Sequence, residues 1–321
     1  MQDRGLHLIL VNLGTPAECT PAAVRAFLDE FLSDPAVVDL PRWLWRPILT
    51  GIVLRTRPPR VAEQYRSIWT PAGSPLRVST EQLAASAQAA AANGMTVSAA
   101  YRYGEPSLDT VLSRLPANHG GRIVVLPLFP QRTEATTGTA FRRAREAAAR
   151  AGVGARLVER LVAPDDEGYV AALVARFQEV SGDAGAPTDH LVVSFHGIPV
   201  RYDRREGGIY TRDCRATYEA VLAALGWPRE RATLAYQSKF GPEPWLTPGT
   251  AEVLAALPSS GVRHVAVMTP GFVTPGLETL EEIGIRGREM FLGAGGTSLT
   301  LVPAVGVHER FVEAIVRAAS G

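Results

Sequence analysis

The chain has 321 residues, 46% of them hydrophobic and 20% charged, which suffices for one large domain or two ordinary ones and excludes a disordered polymer. Basic and acidic residues nearly cancel, 33 against 32, with no basic tract to track a phosphate backbone, so nucleic acid is not an expected partner. Two cysteines, Cys19 and Cys214, cannot supply the four thiolates of an iron–sulfur cluster or an all-cysteine zinc site, nor a secreted disulfide scaffold. The apolar run 48–54 is bracketed by Arg46 and Arg55 and is too short to span a membrane. The apolar stretch 8–11 runs straight into Asn12 without a cleavage site, so the reading is a soluble cytoplasmic protein. Among the 33 basic residues a single lysine, Lys239, stands out.

In chain order, short apolar runs at 6–11, 96–101, 122–126, 156–161, 190–195, 232–236, 262–268 and 298–302 read as buried strands. Amphipathic helical patterns lie between them at 21–32, 81–92, 140–151, 166–180, 216–225, 249–257, 278–291 and 307–319. Such alternation predicts an α/β fold with parallel sheets covered by helices on both faces.

The pattern repeats. Val125-Leu126-Pro127-Leu128-Phe129 resembles Val267-Met268-Thr269-Pro270-Gly271-Phe272, and 169–174 resembles 311–316, both at one separation (268 − 126 = 142; 311 − 169 = 142). Ala100-Tyr101 matches Ala235-Tyr236 (236 − 101 = 135), and Asn12 aligns with His196 (196 − 12 = 184). The repeat predicts two similar halves, each a four-stranded parallel sheet flanked by helices, covering 1–161 and 162–321. The first half is longer by 184 − 135 = 49 residues, an insertion placed at about 29–79. There Trp43, Trp45, Ile48, Leu49, Ile52, Val53 and Leu54 interleave with Arg42, Arg46, Arg55, Arg57 and Arg60. Two readings stay open: a helical hairpin packed on the core, or an apolar lip with a basic rim for a large greasy anionic ligand or a membrane surface.

Ligands of open α/β sheets bind at the carboxyl ends of the strands, which sorts the six histidines. His7, His190 and His264 fall at strand starts, His119 in a loop, and His308 at a helix start. His196, in Ser194-Phe195-His196-Gly197-Ile198-Pro199, ends a strand beside a Gly and a Pro that force a sharp exit. It is either a structural histidine or a proton acceptor and metal ligand. Glu278 and Glu282 share a face of the helix after Pro275-Gly276-Leu277, while Glu281 points elsewhere. They are either dipole-compensating acids or partners of His196. A third cluster, Gln237-Ser238-Lys239-Phe240-Gly241-Pro242-Glu243-Pro244-Trp245-Leu246, also leaves a strand end. Gly293-Ala294-Gly295-Gly296 lacks a dinucleotide-binding spacing and reads as a turn.

These motifs, together with Val11-Asn12-Leu13-Gly14-Thr15-Pro16, Glu63-Gln64-Tyr65, Gly73-Ser74-Pro75-Leu76, Leu126-Pro127-Leu128-Phe129-Pro130-Gln131, Thr136-Thr137-Gly138 and Leu277-Glu278-Thr279-Leu280-Glu281-Glu282, resemble the ferrochelatases across essentially the whole chain. The resemblance implies two Rossmann-like halves of the class II chelatase type with a porphyrin cleft between them. It implies insertion of Fe2+ into protoporphyrin IX to give protoheme, the last step of heme biosynthesis. His196 and Glu278 become the catalytic and metal-site pair, with Glu282 a second acidic group leading toward it. Leu13, Thr137, Ser194, Lys239 and Trp245 become substrate contacts, and the insertion becomes the family's apolar lip. No prosthetic cofactor is implied: Fe2+ is a substrate, and the [2Fe–2S] cluster of some members cannot form on two cysteines. A monomer with peripheral contact to the inner membrane is expected. The chain departs from relatives at Pro275 and Gly276, where a polar relay is common, at Leu13, where a Tyr or Met is common, and at Phe129, which replaces a Tyr. Coproporphyrin III as substrate, a cobaltochelatase acting on a sirohydrochlorin-type ring, and a non-catalytic tetrapyrrole-binding module are the competing readings.

Overall fold

The computed structural model describes residues 5–92, 94–115, 120–181 and 187–321, so His119 lies outside the described residues. The chain divides into two compact units, Met1–Val162 with Ile315–Gly321, and Ala163–Ala314.

The first unit opens with β1 (Leu6–Asn12), then α1 (Pro21–Leu32), α2 (Arg42–Ile48), a π-helical turn (Leu49–Val53), α3 (Leu54–Arg66) and α4 (Pro75–Ala90). Next come β2 (Met95–Tyr101), α5 (Leu108–Ser113), β3 (Ile123–Pro127), a second π-helical turn (Glu134–Gly138), α6 (Thr139–Arg150) and β4 (Leu157–Glu159). The four strands are parallel in the order β2-β1-β3-β4. Leu8, Ile9, Leu10 and Val11 are all fully buried, as a central strand covered on both faces requires. On one face Ile9, Val11, Ala100 and Val125 pack against α5 and α6, where Ala140, Ala144, Ala147 and Ala148 form a smooth helical stripe that lets the helix approach closely.

The second unit contains α7 (Glu167–Val180), β5 (His190–His196), α8 (Val200–Arg205), α9 (Ile209–Leu225), β6 (Ala232–Gln237), α10 (Thr250–Ala256) and β7 (His264–Met268). A long π-helical stretch (Leu277–Gly287) then leads into α11 (Arg288–Gly293), β8 (Ser298–Leu301) and α12 (Glu309–Ser320), the last of which ends in the first unit. The sheet is parallel in the order β6-β5-β7-β8, the same order as the first. Val192, Ala235, Val265, Val267 and Leu299 pack with Leu254, Ile283 and Phe291.

All eight expected strands are present and the fold class is as expected. The helices differ more. The helix expected at 81–92 starts at Pro75, because Ser74 is extended and proline suits a first helical position. The one expected at 216–225 starts at Ile209, after two left-handed glycines, Gly207 and Gly208. α5, which begins at a Ser107 cap, and α8 are additional, being too short to carry a periodic signal. The helix expected at 278–291 is π-helical up to Gly287 and α-helical beyond it.

The hydrogen-bond register corrects the repeat. His7 pairs with Thr96 and Ile123, whereas His190 pairs with Val265 and Leu191 with Ala232. Equivalence of β1 and β5 therefore needs a separation of 190 − 7 = 183, which keeps 232 − 97 = 135 and 265 − 123 = 142 intact. The sequence match at 184 is one residue out, and one residue in a strand reverses the face of every side chain. Leu13, not Asn12, occupies the place of His196, and the insertion is 183 − 135 = 48 residues long.

That insertion is a helical run over 42–66, with α2, π turn and α3 end to end rather than folded into a hairpin. Three internal prolines leave carbonyls without helical donors. Pro58 cannot donate to the Leu54 carbonyl, and the Arg25 guanidinium does so instead at 3.2 Å. The inner face buries Leu49 and Leu54 against Leu32, and the Trp45 indole donates to the Leu32 carbonyl at 2.7 Å. The outer face leaves Trp43 79% and Ile52 59% exposed, with Leu44 and Ile48 beside them. Among the described residues no helix is long and apolar enough to cross a membrane.

Gly14, at the β1 exit, has φ +112°, and a Cβ there would lie 1.8 Å from the Tyr103 carbonyl oxygen. Gly14→Ala is expected to lower the unfolding free energy by about 3 kcal/mol in urea titration, and a loss under about 1 kcal/mol would contradict the close approach.

Candidate functional site

His196 closes β5, and its imidazole Nδ1 lies 2.6 Å from the carbonyl oxygen of Gly197. A carbonyl only accepts, so Nδ1 carries the proton and the neutral ring keeps its lone pair on Nε2. The backbone is held as well: the buried Tyr210 hydroxyl donates to the His196 carbonyl at 2.6 Å, and the Gly197 N–H donates to the Gln237 carbonyl at 2.7 Å. Phe272 stands beside the imidazole with ring centroids 6.2 Å apart. Gly197 is required by space, since a Cβ would lie 2.8 Å from the Gln237 carbonyl and 3.1 Å from the Trp245 ring. Trp245 thus packs against the histidine turn, and its indole N–H is buried without a protein acceptor.

Glu278 is the second residue of the long π-helical stretch and is partly buried. Desolvation pushes its carboxyl above the usual range; His196 opposes this, and the neighbouring Glu282 and Glu281 carboxylates reinforce it. The geometric link between His196 and Glu278 is through Gln237, whose carbonyl accepts from the Gly197 N–H and whose amide donates to the Glu278 carbonyl, so the main chains at the two residues are tied to one side of β6. The main chain of Glu278 is fixed by a buried polar chain. Thr250 and Ser194 hydroxyls meet at 2.7 Å, Ser194 donates to the Gln237 side-chain carbonyl at 2.7 Å, and the Gln237 amide donates to the Glu278 carbonyl at 2.6 Å. Because Ser194 spends its proton on Gln237, Thr250 must be the donor to Ser194.

These bonds revise Ser194, expected as a substrate contact: it is fully buried and its hydroxyl is committed to Gln237. Glu282 is also engaged. Both of its oxygens accept from Ser238, from the N–H at 2.7 Å and from the hydroxyl at 2.6 Å. Ser238 has φ +65° and is the only non-glycine with positive φ among the described residues, a conformation that costs about 1–2 kcal/mol. Lys239 and Phe240 come next, on the surface, and Lys239 and Trp245 line a small hollow with Gly197 and Gln237. Glu281 turns away to pair with Arg286 at 2.8 Å.

In the first unit, Leu13 leaves β1 half-buried, and Thr137 lies in the π turn after β3 with its hydroxyl buried and without a protein partner. They occupy the places of His196 and Thr279 (13 + 183 = 196; 137 + 142 = 279). Gln237 corresponds to Arg102 (102 + 135 = 237), which pairs with the buried Asp34. Burial works against the Asp34 carboxylate, but hydrogen bonds from Thr139, the Ala36 N–H and Tyr103, with the Arg102 charge, hold its pKa below the usual value. Sequence reasoning misses Gln237, Thr250, Tyr210 and the Asp34–Arg102 pair. Gln237 is visible inside a quoted motif, whereas the partners that give the others meaning are distant in sequence.

A family model described as Ferrochelatase matches residues 6–320. The chain is 43% identical to the ferrochelatase of Pectobacterium atrosepticum, covering 95% of this chain and 94% of that protein. It is 44% identical to the ferrochelatase of Enterobacter sp. strain 638, with 98% of each chain covered. Among solved structures it resembles the sirohydrochlorin chelatase SirB of Bacillus subtilis subspecies spizizenii, with a TM-score of 0.58 at 11% identity, covering 98% of this chain and 94% of that one. It also resembles CbiX, with a TM-score of 0.51 at 18% identity and 98% of each chain covered, and these two likenesses show the fold. The matched motifs, the duplicated sheet and the full-length relatives agree: the chain belongs to the ferrochelatase family.

Proposed function

We propose that this protein inserts Fe2+ into protoporphyrin IX to give protoheme, using His196 and Glu278. The observation that carries the reading is the Nε2 lone pair of His196, fixed by the Nδ1 contact to Gly197, in a strand end that shares Gln237 with Glu278, whose carboxyl burial makes more basic. Metallation of a porphyrin releases two pyrrole protons and needs the ferrous ion to shed water. The imidazole Nε2 and a carboxylate made more basic by desolvation can both ligate the arriving ion, and as pyrrole nitrogens replace them each can accept one of the two released protons. Two protein donors leave the remaining positions of the ion open to pyrrole nitrogens. Bending the ring so that its lone pairs leave the plane draws on binding energy remote from the metal. Trp245 and Lys239 contribute to that binding next to His196, and Leu13 and Thr137 are proposed as substrate contacts from the family motifs that carry them.

The exposed apolar face of the 42–66 helical run, with Trp43 and Ile52 foremost and arginines at its margin, supports the more apolar protoporphyrin over coproporphyrin III. The same face suits peripheral contact of a cytoplasmic enzyme with an anionic membrane.

His196→Ala is expected to abolish anaerobic iron insertion, followed by porphyrin absorbance, while its circular dichroism stays that of the parent; near-parental turnover would remove the assignment. Wild-type protein is expected to show a higher kcat/KM for protoporphyrin IX than for coproporphyrin III and to sediment with anionic liposomes; the reverse ranking would transfer the activity to coproporphyrin. Glu278 also gives a pH signature. Its folded-state pKa is raised, so its contribution to stability is complete below the unfolded value of about 4.3 and is lost as pH rises through the folded value. Glu278→Gln should therefore melt above the parent at pH 8, with the difference closing as pH approaches about 4. An equal difference at both pH values would show that desolvation of Glu278 is not its cause.

A further inference from the structure

The acid four residues beyond Glu278 does not present a free carboxylate. Glu282 gives one oxygen to the Ser238 N–H and the other to the Ser238 hydroxyl. Ser238 is the first residue after β6, and the residue before it, Gln237, reaches the same π-helical stretch through the Glu278 carbonyl. Two consecutive residues at the end of one strand are thus bolted to positions 278 and 282. Beyond Ser238 the loop carries Lys239 and Phe240 to the surface and returns along the histidine turn. There the Val200 N–H donates to the Pro244 carbonyl at 3.0 Å and the Leu246 N–H to the Ile198 carbonyl at 3.1 Å. Its Trp245 packs on Gly197. A serine adopts φ +65° only where surrounding bonds overdetermine it, and the bonds that do so here come from one carboxylate.

We infer that Glu282 is a positioning residue for the porphyrin-binding loop: its doubly bonded carboxylate holds Ser238 in the left-handed conformation and thereby sets the direction of Lys239–Trp245 beside His196. It does not hand iron toward Glu278. The inference rests on the reading of His196, Lys239 and Trp245 as the substrate site.

A relay carboxylate and a positioning carboxylate respond oppositely to an amide. Gln at 282 has no charge for iron, yet its carbonyl can accept from the Ser238 N–H while its NH2 donates to the Ser238 hydroxyl oxygen. The test uses steady-state anaerobic insertion by the full chain, varying ferrous iron and protoporphyrin separately, for wild type, Glu282→Gln, Glu282→Ala and Ser238→Ala. Positioning predicts that Glu282→Gln keeps both KM values within about twofold of wild type, while Glu282→Ala raises the porphyrin KM about tenfold and leaves the iron KM within about twofold. Ser238→Ala should raise the porphyrin KM as well, and combined with Glu282→Ala should add less than the sum of the two effects. A rise of about fivefold or more in the iron KM of Glu282→Gln overturns the inference, as does an unchanged porphyrin KM in a folded Glu282→Ala. Should Glu282→Ala fail to fold, the Gln variant decides alone. Absence of iron insertion by the wild-type protein would instead refute the functional reading, a result distinct from all of these.

Discussion

The second unit depends on one buried amide. Gln237 ends β6 almost wholly out of water, receives a hydroxyl proton from Ser194 on β5, and donates to the main chain at Glu278. A neutral group in that place can accept on one side and donate on the other, so two strands and a π-helical stretch share one direction of hydrogen bonding. Thr250 at the start of α10 closes the series. Each member is satisfied, and leaving any of them unpaired in so little water would cost about 1–3 kcal/mol. His196 and Glu278 therefore inherit their placement from a network that itself does no chemistry.

The two units show what the duplication kept and what it changed. Strand order, register and the π-helical turn after the third strand are common to both. The contents of the carboxyl edge are not. Where the second unit has His196, the first has Leu13; where the second has neutral Gln237, the first has Arg102 locked to Asp34. The first unit thus commits its charges to a closed ion pair, with Tyr103 and Thr139 bonded to the same carboxylate, whereas the second keeps an imidazole lone pair and a titratable carboxyl.

Much of this is legible in the chain. Continuous apolar strands such as Leu8–Val11 announce burial on both faces, and His196 with Gly and Pro after it announces a strand end with room beside it. Sequence reasoning fails where the answer depends on geometry finer than a residue. The repeat aligns one position out because the match at 184 sets Asn12 on His196 by their place in the motif, whereas at 183, the separation the register requires, Gly14 falls on Gly197 and Pro16 on Pro199. Prolines at 47, 58 and 59 lie inside the insertion, yet the helical run continues through them, with Arg25 supplying the donor that Pro58 lacks. Ser194 and Glu282 look like ligand groups from their neighbours in sequence, but their partners, Gln237 and Ser238, lie at the end of another strand, 43 and 44 residues away.

The backbone at Ser238 also sets the direction in which this protein can change. Glycine at that position would relieve the left-handed strain, so a population selected only for thermal endurance would drift toward it. It would lose the hydroxyl that occupies the second oxygen of Glu282, leaving that carboxylate held by the main-chain N–H alone. Robustness and placement of the loop are therefore in opposition at a single site, and a lineage that keeps serine there accepts a less stable turn in exchange for a fixed course of the Lys239–Trp245 loop.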